Sequence, residues 1–401
     1  MNIHWFLSSK VRQAAHMHKH VRKILSAQRD LLTPKAIAAV EKALTDIQRL
    51  YSGPMDKAAL EKEMTSLEVA ANQWLKPYPH AGFRENVEVL LVAIAVAMAI
   101  RTFFAQPFKI PTGSMQPTLY GVTSTDLRDE VNFEIPNAVK RFFLFWFVGV
   151  SYDHIVAESD GEFRLADEVP KKFLLFNLKQ TFYVGNESYT VKFPAENLLR
   201  RAGLVDGMGQ PVPRTFKKGD TVMKLRSYSG DHLFVDRCTY NFRRPRRGEI
   251  IVFETQTIEG MSADQRGNFY IKRLVGLSNE KLRIGDDRHL YVNGVKLDAQ
   301  TPHFRNLYSF DPAQLPTDSV YSGHVNGKYL GFGARYFGDQ NTEFTVPANH
   351  LMAMGDNTMN SSDSRYWGSL PQESVVGRSL LVYWPFGAQD GRRSRFGTTR
   401  E

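Results

Sequence analysis

The sequence predicts a mainly β domain, tethered by one transmembrane helix and preceded by an N-terminal helical hairpin. Three observations predict this. Before residue 76, apolar residues recur at helical spacing. Val89 to Ile100 is a run without charge or strong breaker. From Phe108 onward the apolar runs are short and bounded by turn residues.

Residues from about 8 to 76 read as helical. Thr33-Pro34 is an N-cap followed by Pro at the first helical position. Ile37, Val40, Leu44, Ile47 and Tyr51 make one stripe, and Leu60, Met64, Leu67, Ala71 and Trp74 a second. Ser52-Gly53-Pro54 separates them, so two facing antiparallel helices are expected. Lys76-Pro77-Tyr78-Pro79 reads as a linker. The segment from Val87 to Gln106 reaches spanning length if Glu88 and Arg101 snorkel; a buried soluble helix is the competing reading. Met1 to Leu7 is too short for the apolar core of a targeting segment, so an internal, uncleaved anchor is expected. The basic N-terminal region favours the cytoplasm for that side, which places the β domain outside.

In the β region, Ile250 to Phe253, Phe269 to Val275 and Leu380 to Tyr383 read as strands. His289 to Leu297 carries Asn293-Gly294 between strand-like halves, a hairpin signal. The run Phe142 to Val150 is too short to span a bilayer. It reads either as buried core or as an aromatic surface at the membrane interface beside Lys140-Arg141.

The 401 residues suffice for two or three domains, and 42% apolar content is ordinary for a folded chain. A net charge of +9 admits nucleic acid or an anionic membrane surface as partner. The sharpest basic run, Arg243 to Arg247, is compact and ends at a strand entry, so a solvated turn is expected and no nucleic-acid binding. Cys238 is the single cysteine, which excludes an intrachain disulfide and a Cys-based metal site. His16-Met17-His18-Lys19-His20 lacks the Glu of a zinc-protease helix and reads as a solvated basic helix. No P-loop, dinucleotide fingerprint or Gly-x-Ser-x-Gly elbow occurs. No metal and no cofactor is expected.

Chemistry concentrates in three places. Ser114 lies in a turn bounded by Pro111-Thr112-Gly113 and Pro117. Lys272 lies in Tyr270-Ile271-Lys272-Arg273-Leu274-Val275, where alternation puts it on the face opposite Arg273. A free lysine titrates near about 10.4, and making it neutral at pH 7 costs roughly 4–5 kcal/mol. Burial between large apolar neighbours supplies that shift and makes Lys272 a candidate general base. Gly355-Asp356-Asn357 to Ser361-Ser362-Asp363-Ser364-Arg365 supplies polar groups: Ser361 to accept a bond from Lys272, and Asp363 with Arg365 to brace the loop. Gln106 to Ser114 is eight steps, at most roughly 26–29 Å, so the serine stays near the membrane face.

These runs, taken in order with Gly219-Asp220 and Arg247-Gly248-Glu249-Ile250-Ile251-Val252-Phe253, resemble the boxes of bacterial type I signal peptidases. The resemblance covers roughly Glu85 to Leu119 and Lys217 to Pro385, less the second insertion. It implies a signal-peptidase-like complex β fold and a membrane-bound serine endopeptidase that removes signal peptides from exported preproteins. By that resemblance Ser114 is the nucleophile, Lys272 the base and Ser361 the group that orients it. Thr112 and the Ser114 N–H form the oxyanion hole. Phe108, Ile110, Pro111, Met115, Leu119, Tyr270 and Ile271 match positions lining pockets for small residues at −1 and −3 of the cleavage site. Leu277-Ser278-Asn279-Glu280 and Thr358 depart from the family pattern without removing a catalytic group.

The expected organisation is a helical region at 1–85, a transmembrane helix at 86–106 and a catalytic domain at 107–120 and 217–390. Insertions occupy 121–216 and 298–345, and a tail 391–401. Expected partners are signal peptides and the lipid bilayer, with the secretion machinery as a further partner. The expected location is the bacterial inner membrane, single-pass, with the catalytic domain on the periplasmic side. Two other readings use the same residues. One is the self-cleaving SOS-repressor family, which shares the dyad; Ala81-Gly82 resembles its cleavage pair. The other is a non-catalytic, membrane-tethered β domain that binds partners.

Overall fold

The computed structural model describes residues 9–52, 56–76, 81–130, 132–166, 171–173, 176–195, 197–331, 334–389 and 394–399. The expected break at Gly53-Pro54, the linker residues Pro77 to Pro79, the segment Met1 to Leu7 and part of the tail lie outside these residues. The chain divides into two compact units, Met1–Ile94 and Ala95–Glu401.

In the first unit a further helix, α1 (Ser9–Gln28), joins the two expected helices, α2 (Pro34–Ser52) and α3 (Lys57–Trp74). Val11, Ala14, Val21 and Leu25 of α1 share a core with Val40, Leu44 and Ile47 of α2 and Leu60 and Leu67 of α3. The stripe on α1 is hard to see because Ala14 and His18 fill two of its positions. His18 is buried and meets the Tyr51 hydroxyl at 3.2 Å, so the histidine-rich helix is not solvated all round. Thr33 Oγ1 accepts from Ala36 N at 3.3 Å, as its capping position predicts. The apolar helix α4 (Ala81–Phe103) follows. Its 22 residues from Gly82 to Phe103 are long and apolar enough to cross a membrane, and none of its most apolar window is buried. Glu88 is paired to Arg84 at 3.1 Å one turn earlier.

In the second unit the strands are β1 (Ala105–Lys109), β2 (Thr123–Asp126), β3 (Val150–Val156), β4 (Gly161–Leu165), β5 (Lys171–Phe173), β6 (Phe176–Val184) and β7 (Glu187–Lys192). There follow β8 (Thr215–Phe216), β9 (Thr221–Tyr228), β10 (His232–Asp236), β11 (Ile250–Glu254), β12 (Phe269–Gly276) and β13 (Lys281–Ile284). The last are β14 (Leu290–Val292), β15 (Val295–Lys296), β16 (Glu343–Thr345), β17 (His350–Met354), β18 (Leu370–Pro371), β19 (Val375–Trp384) and β20 (Gly397–Thr398). The central sheet runs β1-β10-β19-β11-β12-β17-β18, with β20 on β19.

Strand β11 explains why its sequence is apolar without alternation. Ile250 and Val252 point into a core with Ile110, Met115, Leu119, Leu233, Val235 and Val382. Ile251 and Phe253 point the other way, against Leu274, Leu351, Trp367 and Leu370. Both faces of the sheet are covered, so both sets of positions must be apolar. The Asn293-Gly294 turn joins β14 to β15 as expected, with both residues at positive φ (49° and 80°).

The first insertion pairs β2 and β3 onto β9 and builds a separate sheet, β5-β6-β4-β8 with β7 on β6. Its core contains Phe163, Phe182, Val184 and Leu198, and Phe182 stacks on Tyr189 at 5.5 Å. The aromatic run does not join that core. Phe142, Phe143, Phe145, Trp146 and Phe147 are each 41–59% exposed, so of the two readings the surface one describes this structure. The second insertion packs Phe304, Leu307, Tyr308 and Phe337 against Val275 of β12 and Met352 and Met354 of β17.

Phe182 is fully buried. Phe182→Ala is expected to cost about 3–5 kcal/mol in the unit that holds the first insertion. Thermal or denaturant unfolding followed by fluorescence checks this, and an unchanged midpoint would show that this core does not stabilise the unit.

Candidate active site

The Ser114 turn is held at both ends. Ile110 N donates to Asp231 O at 2.9 Å, and Asp231 N donates to Tyr120 O at 2.8 Å. The Asp231 carboxylate accepts from Tyr120 N at 2.7 Å, and Arg395 completes a buried pair with it at 2.7 and 2.8 Å. Within the turn, Gln116 N bonds Gly113 O at 3.1 Å and Leu119 N bonds Met115 O at 2.9 Å. Ser114 lies between these closures and is 6% exposed.

Lys272 sits in the interior strand β12, opposite Ile251 of β11. Its Nζ donates to Ser114 Oγ at 2.8 Å and to Ile271 O at 3.1 Å, and lies 5.3 Å from the Tyr270 ring centroid. It is 4% exposed. Burial pulls its pKa from 10.5 down to about 8; Asp363 and Asp356 oppose that pull and Arg365 adds to it. A substantial neutral fraction near pH 8 gives Nζ a lone pair to accept the serine proton.

The third run closes over the same place. Asn357 N donates to Ser114 O at 3.0 Å. A side chain at Gly355 would collide with that same carbonyl and with Ser361, so only glycine fits. Asp363 accepts from Gly355 N at 3.0 Å and pairs with Arg365 at 2.8 and 2.9 Å, with neither side chain exposed. Burial alone would raise the Asp363 carboxyl, but Arg365 and the Gly355 N–H outweigh it and hold it low. Thr358 accepts from Val325 N at 2.9 Å and from Arg365 at 2.8 Å.

Ser361 is buried, but Lys272 makes no bond to it; the lysine donates to Ser114 Oγ and Ile271 O instead. Its Oγ is near enough to help lower Asp363 without reaching hydrogen-bond geometry. Thr112 is exposed beside the serine. Of the expected pocket residues, Ile110, Met115 and Leu119 are at most 2% exposed and belong to the core beneath the turn. Phe108, Pro111, Tyr270 and Ile271 keep accessible surface. Among the described residues no cluster of His, Cys, Asp and Glu has metal-site geometry.

Sequence reasoning missed what ties the three runs together. Arg273 reaches Asp356 with two bonds, at 2.8 and 2.6 Å, and also donates to Gly248 O at 2.9 Å and Thr118 Oγ1 at 3.2 Å. Thr118 in turn donates to Asp356 at 2.5 Å. The signal available in the sequence was an arginine inside an apolar strand, which needs a buried partner.

The fold and this pair of side chains define a candidate serine hydrolase, and comparison with known proteins narrows the class. The family model described as "Signal peptidase, peptidase S26" matches residues 83–125 and 215–384, and the chain belongs to that family of peptidases. A probable signal peptidase I-2 of Synechocystis sp. is 30% identical, over 39% of this chain and 56% of its own length. Signal peptidase I of Pseudomonas aeruginosa is 30% identical, over 41% of this chain and 62% of its own. The chloroplastic thylakoidal processing peptidase 1 of Arabidopsis thaliana is 25% identical over 39% of this chain and 37% of its own. The chain thus spans about three-fifths of the length of the curated relatives it first matches. A crystal structure of a signal peptidase I from Enterococcus faecalis is 29% identical, with a TM-score of 0.23 over 34% of this chain and 97% of that one.

Arg273 and Asp356 are 2% and 1% exposed as side chains. Asp356→Asn leaves a buried guanidinium without its counter-charge and is expected to cost about 3–5 kcal/mol. Equilibrium unfolding measures this; a cost below that of a surface ion pair would show that the pair does not hold the runs together.

Proposed function

We propose that this chain is a membrane-anchored endopeptidase that cuts signal peptides from exported preproteins after small residues at −1 and −3. One observation carries the reading: a buried lysine amine 2.8 Å from the hydroxyl of a buried serine. Family membership supports the reaction class, and the apolar helix Gly82–Phe103 supports the anchor. The catalytic domain is then periplasmic, with the bilayer and the secretion machinery as partners. The exposed aromatic residues Phe142 to Phe147 suit the lipid interface on that side.

In the proposed mechanism neutral Lys272 takes the Ser114 proton as Oγ bonds to the scissile carbonyl carbon. The carbonyl oxygen becomes an oxyanion, held by the Ser114 N–H and the Thr112 hydroxyl. The carbon–nitrogen bond breaks as the lysine ammonium returns its proton to the leaving amine. Water, deprotonated by the same lysine, then hydrolyses the acyl-serine and regenerates both groups. The ammonium has three donors, two of which serve Ser114 and Ile271; the third is available to Ser361, whose role as orienting group is proposed on that basis. Asp363 and Arg365 support the loop. Phe108, Pro111, Tyr270 and Ile271 line the substrate side, with Ile110, Met115 and Leu119 as the floor beneath.

Ser114→Ala and Lys272→Ala are each expected to abolish cleavage of a preprotein with an Ala-x-Ala site in detergent or liposomes, while the intact chain cuts after the last Ala. Both variants cutting as well as the intact chain would leave a tethered binding domain as the reading. The active form carries neutral Lys272, so kcat/KM is expected to rise with pH up to about 8 and to level off above it. A profile flat from pH 5 to about 9 contradicts lysine as base.

A further inference from the structure

The second insertion supplies a loop, residues 317–326, that touches the candidate site at two places. Asn357 Nδ2 donates to Asp318 O at 3.0 Å, and Val325 N donates to Thr358 Oγ1 at 2.9 Å. Asn357 is the residue whose N–H holds the Ser114 carbonyl. Farther along the turn, the Tyr321 hydroxyl donates to Gln116 Oε1 at 3.1 Å.

That contact has a geometric consequence. The Gln116 amide lies directly over Gly113: a Cβ on that glycine would sit 3.1 Å from Oε1 and 3.3 Å from Nε2. The peptide joining Gly113 to Ser114 carries the N–H proposed for the oxyanion. Its orientation therefore depends on what packs against Gly113, and that is an amide fixed by Tyr321. Gln116 is 7% exposed, so solvent does not replace the tyrosine as its partner without cost.

Tyr321 stands on a rigid support. Ser322, His324, Val325 and Asn326 are each at most 1% exposed. Ser322 Oγ accepts from Arg288 at 2.5 Å, and His324 N donates to Arg288 O at 3.0 Å. His324 Nδ1 meets the Tyr308 hydroxyl at 2.8 Å, and Asn326 Nδ2 donates to Ile284 O at 3.2 Å and Asp286 Oδ1 at 3.0 Å. A surface loop of no consequence would not bury and bond Ser322, His324, Val325 and Asn326 in this way.

We propose that the second insertion forms part of the active-site wall, and that Tyr321 is a positioning residue acting through Gln116 on the Gly113–Ser114 peptide. The inference rests on the peptidase reading above.

The test uses the full chain in detergent, a preprotein with an Ala-x-Ala site, and separate measurement of kcat and KM. Variants are Tyr321→Phe, Gln116→Leu, their double, and Ser319→Ala as an exposed control on the same loop. Tyr321→Phe is expected to lower kcat about 3- to 10-fold, the worth of one neutral hydrogen bond, with KM and Tm unchanged. The double variant should be no worse than Gln116→Leu alone, because the hydroxyl acts through the amide. Ser319→Ala should match the intact chain. An intact chain that cuts while Tyr321→Phe keeps full kcat overturns this inference alone. So does strict additivity, or a kcat loss that follows a fallen Tm and recovers on cooling. An intact chain that does not cut overturns the peptidase reading, and this inference with it.

Discussion

Arg273 and Asp356 lie 83 residues apart, yet between them they join the three runs that carry the candidate chemistry. Asp356 belongs to the loop after β17, Arg273 to β12 beside Lys272, and Thr118, bonded to both, to the Ser114 turn. Alternation along β12 makes this a constraint on the lysine as well. A strand whose Arg273 is clamped on one face has no freedom to roll, so Lys272 is committed to the other face, toward Ser114. A buried ion pair is weak evidence of net stability, because desolvation offsets much of the attraction. Its worth here is geometric: slipping the strand or loop by one residue would strand a guanidinium in a dry core.

The same arrangement governs the electrostatics of Lys272. Two carboxylates, Asp356 and Asp363, lie close enough to hold Lys272 charged, and both raise its pKa. Each is matched by an arginine, in one case with no exposure on either side chain. Arg365 offsets part of their pull at the lysine, and desolvation is the dominant influence.

The central strands were legible because their apolar runs are local and the sheet is covered on both faces. The Asn293-Gly294 hairpin was legible because two positive φ values in succession demand those residue types. Ser114 and Lys272 stood out by residue type in a Gly/Pro-bounded turn and an apolar strand. The links among the runs were not legible: Thr118 to Asp356 spans 238 residues, and no periodicity reports such a pairing. Helix α1 was read as helical without its place in a three-helix core, since alanine and histidine weaken its stripe. For the aromatic run Phe142 to Phe147, hydrophobicity alone could not choose between interior and surface. Composition measures the tendency to leave water but does not specify the surface that receives the side chains.

The two insertions differ in how they attach to the catalytic sheet. The first packs its core on Val222, Met223 and Leu225 of β9, a strand outside the central sheet. The second shares one continuous core with Val275, Met352 and Met354, on the strands that carry the lysine and lead into the Gly355 loop. Close packing transmits small displacements, so a change in the second insertion reaches β12 and β17 directly. The first also meets the Ser114 turn directly, where Gly121 lies against the Thr112 backbone, and meets β19 where Trp384 donates to Trp146 O at 2.7 Å. The second insertion is thus mechanically part of the domain that holds the candidate site, and the family match runs through it without a break.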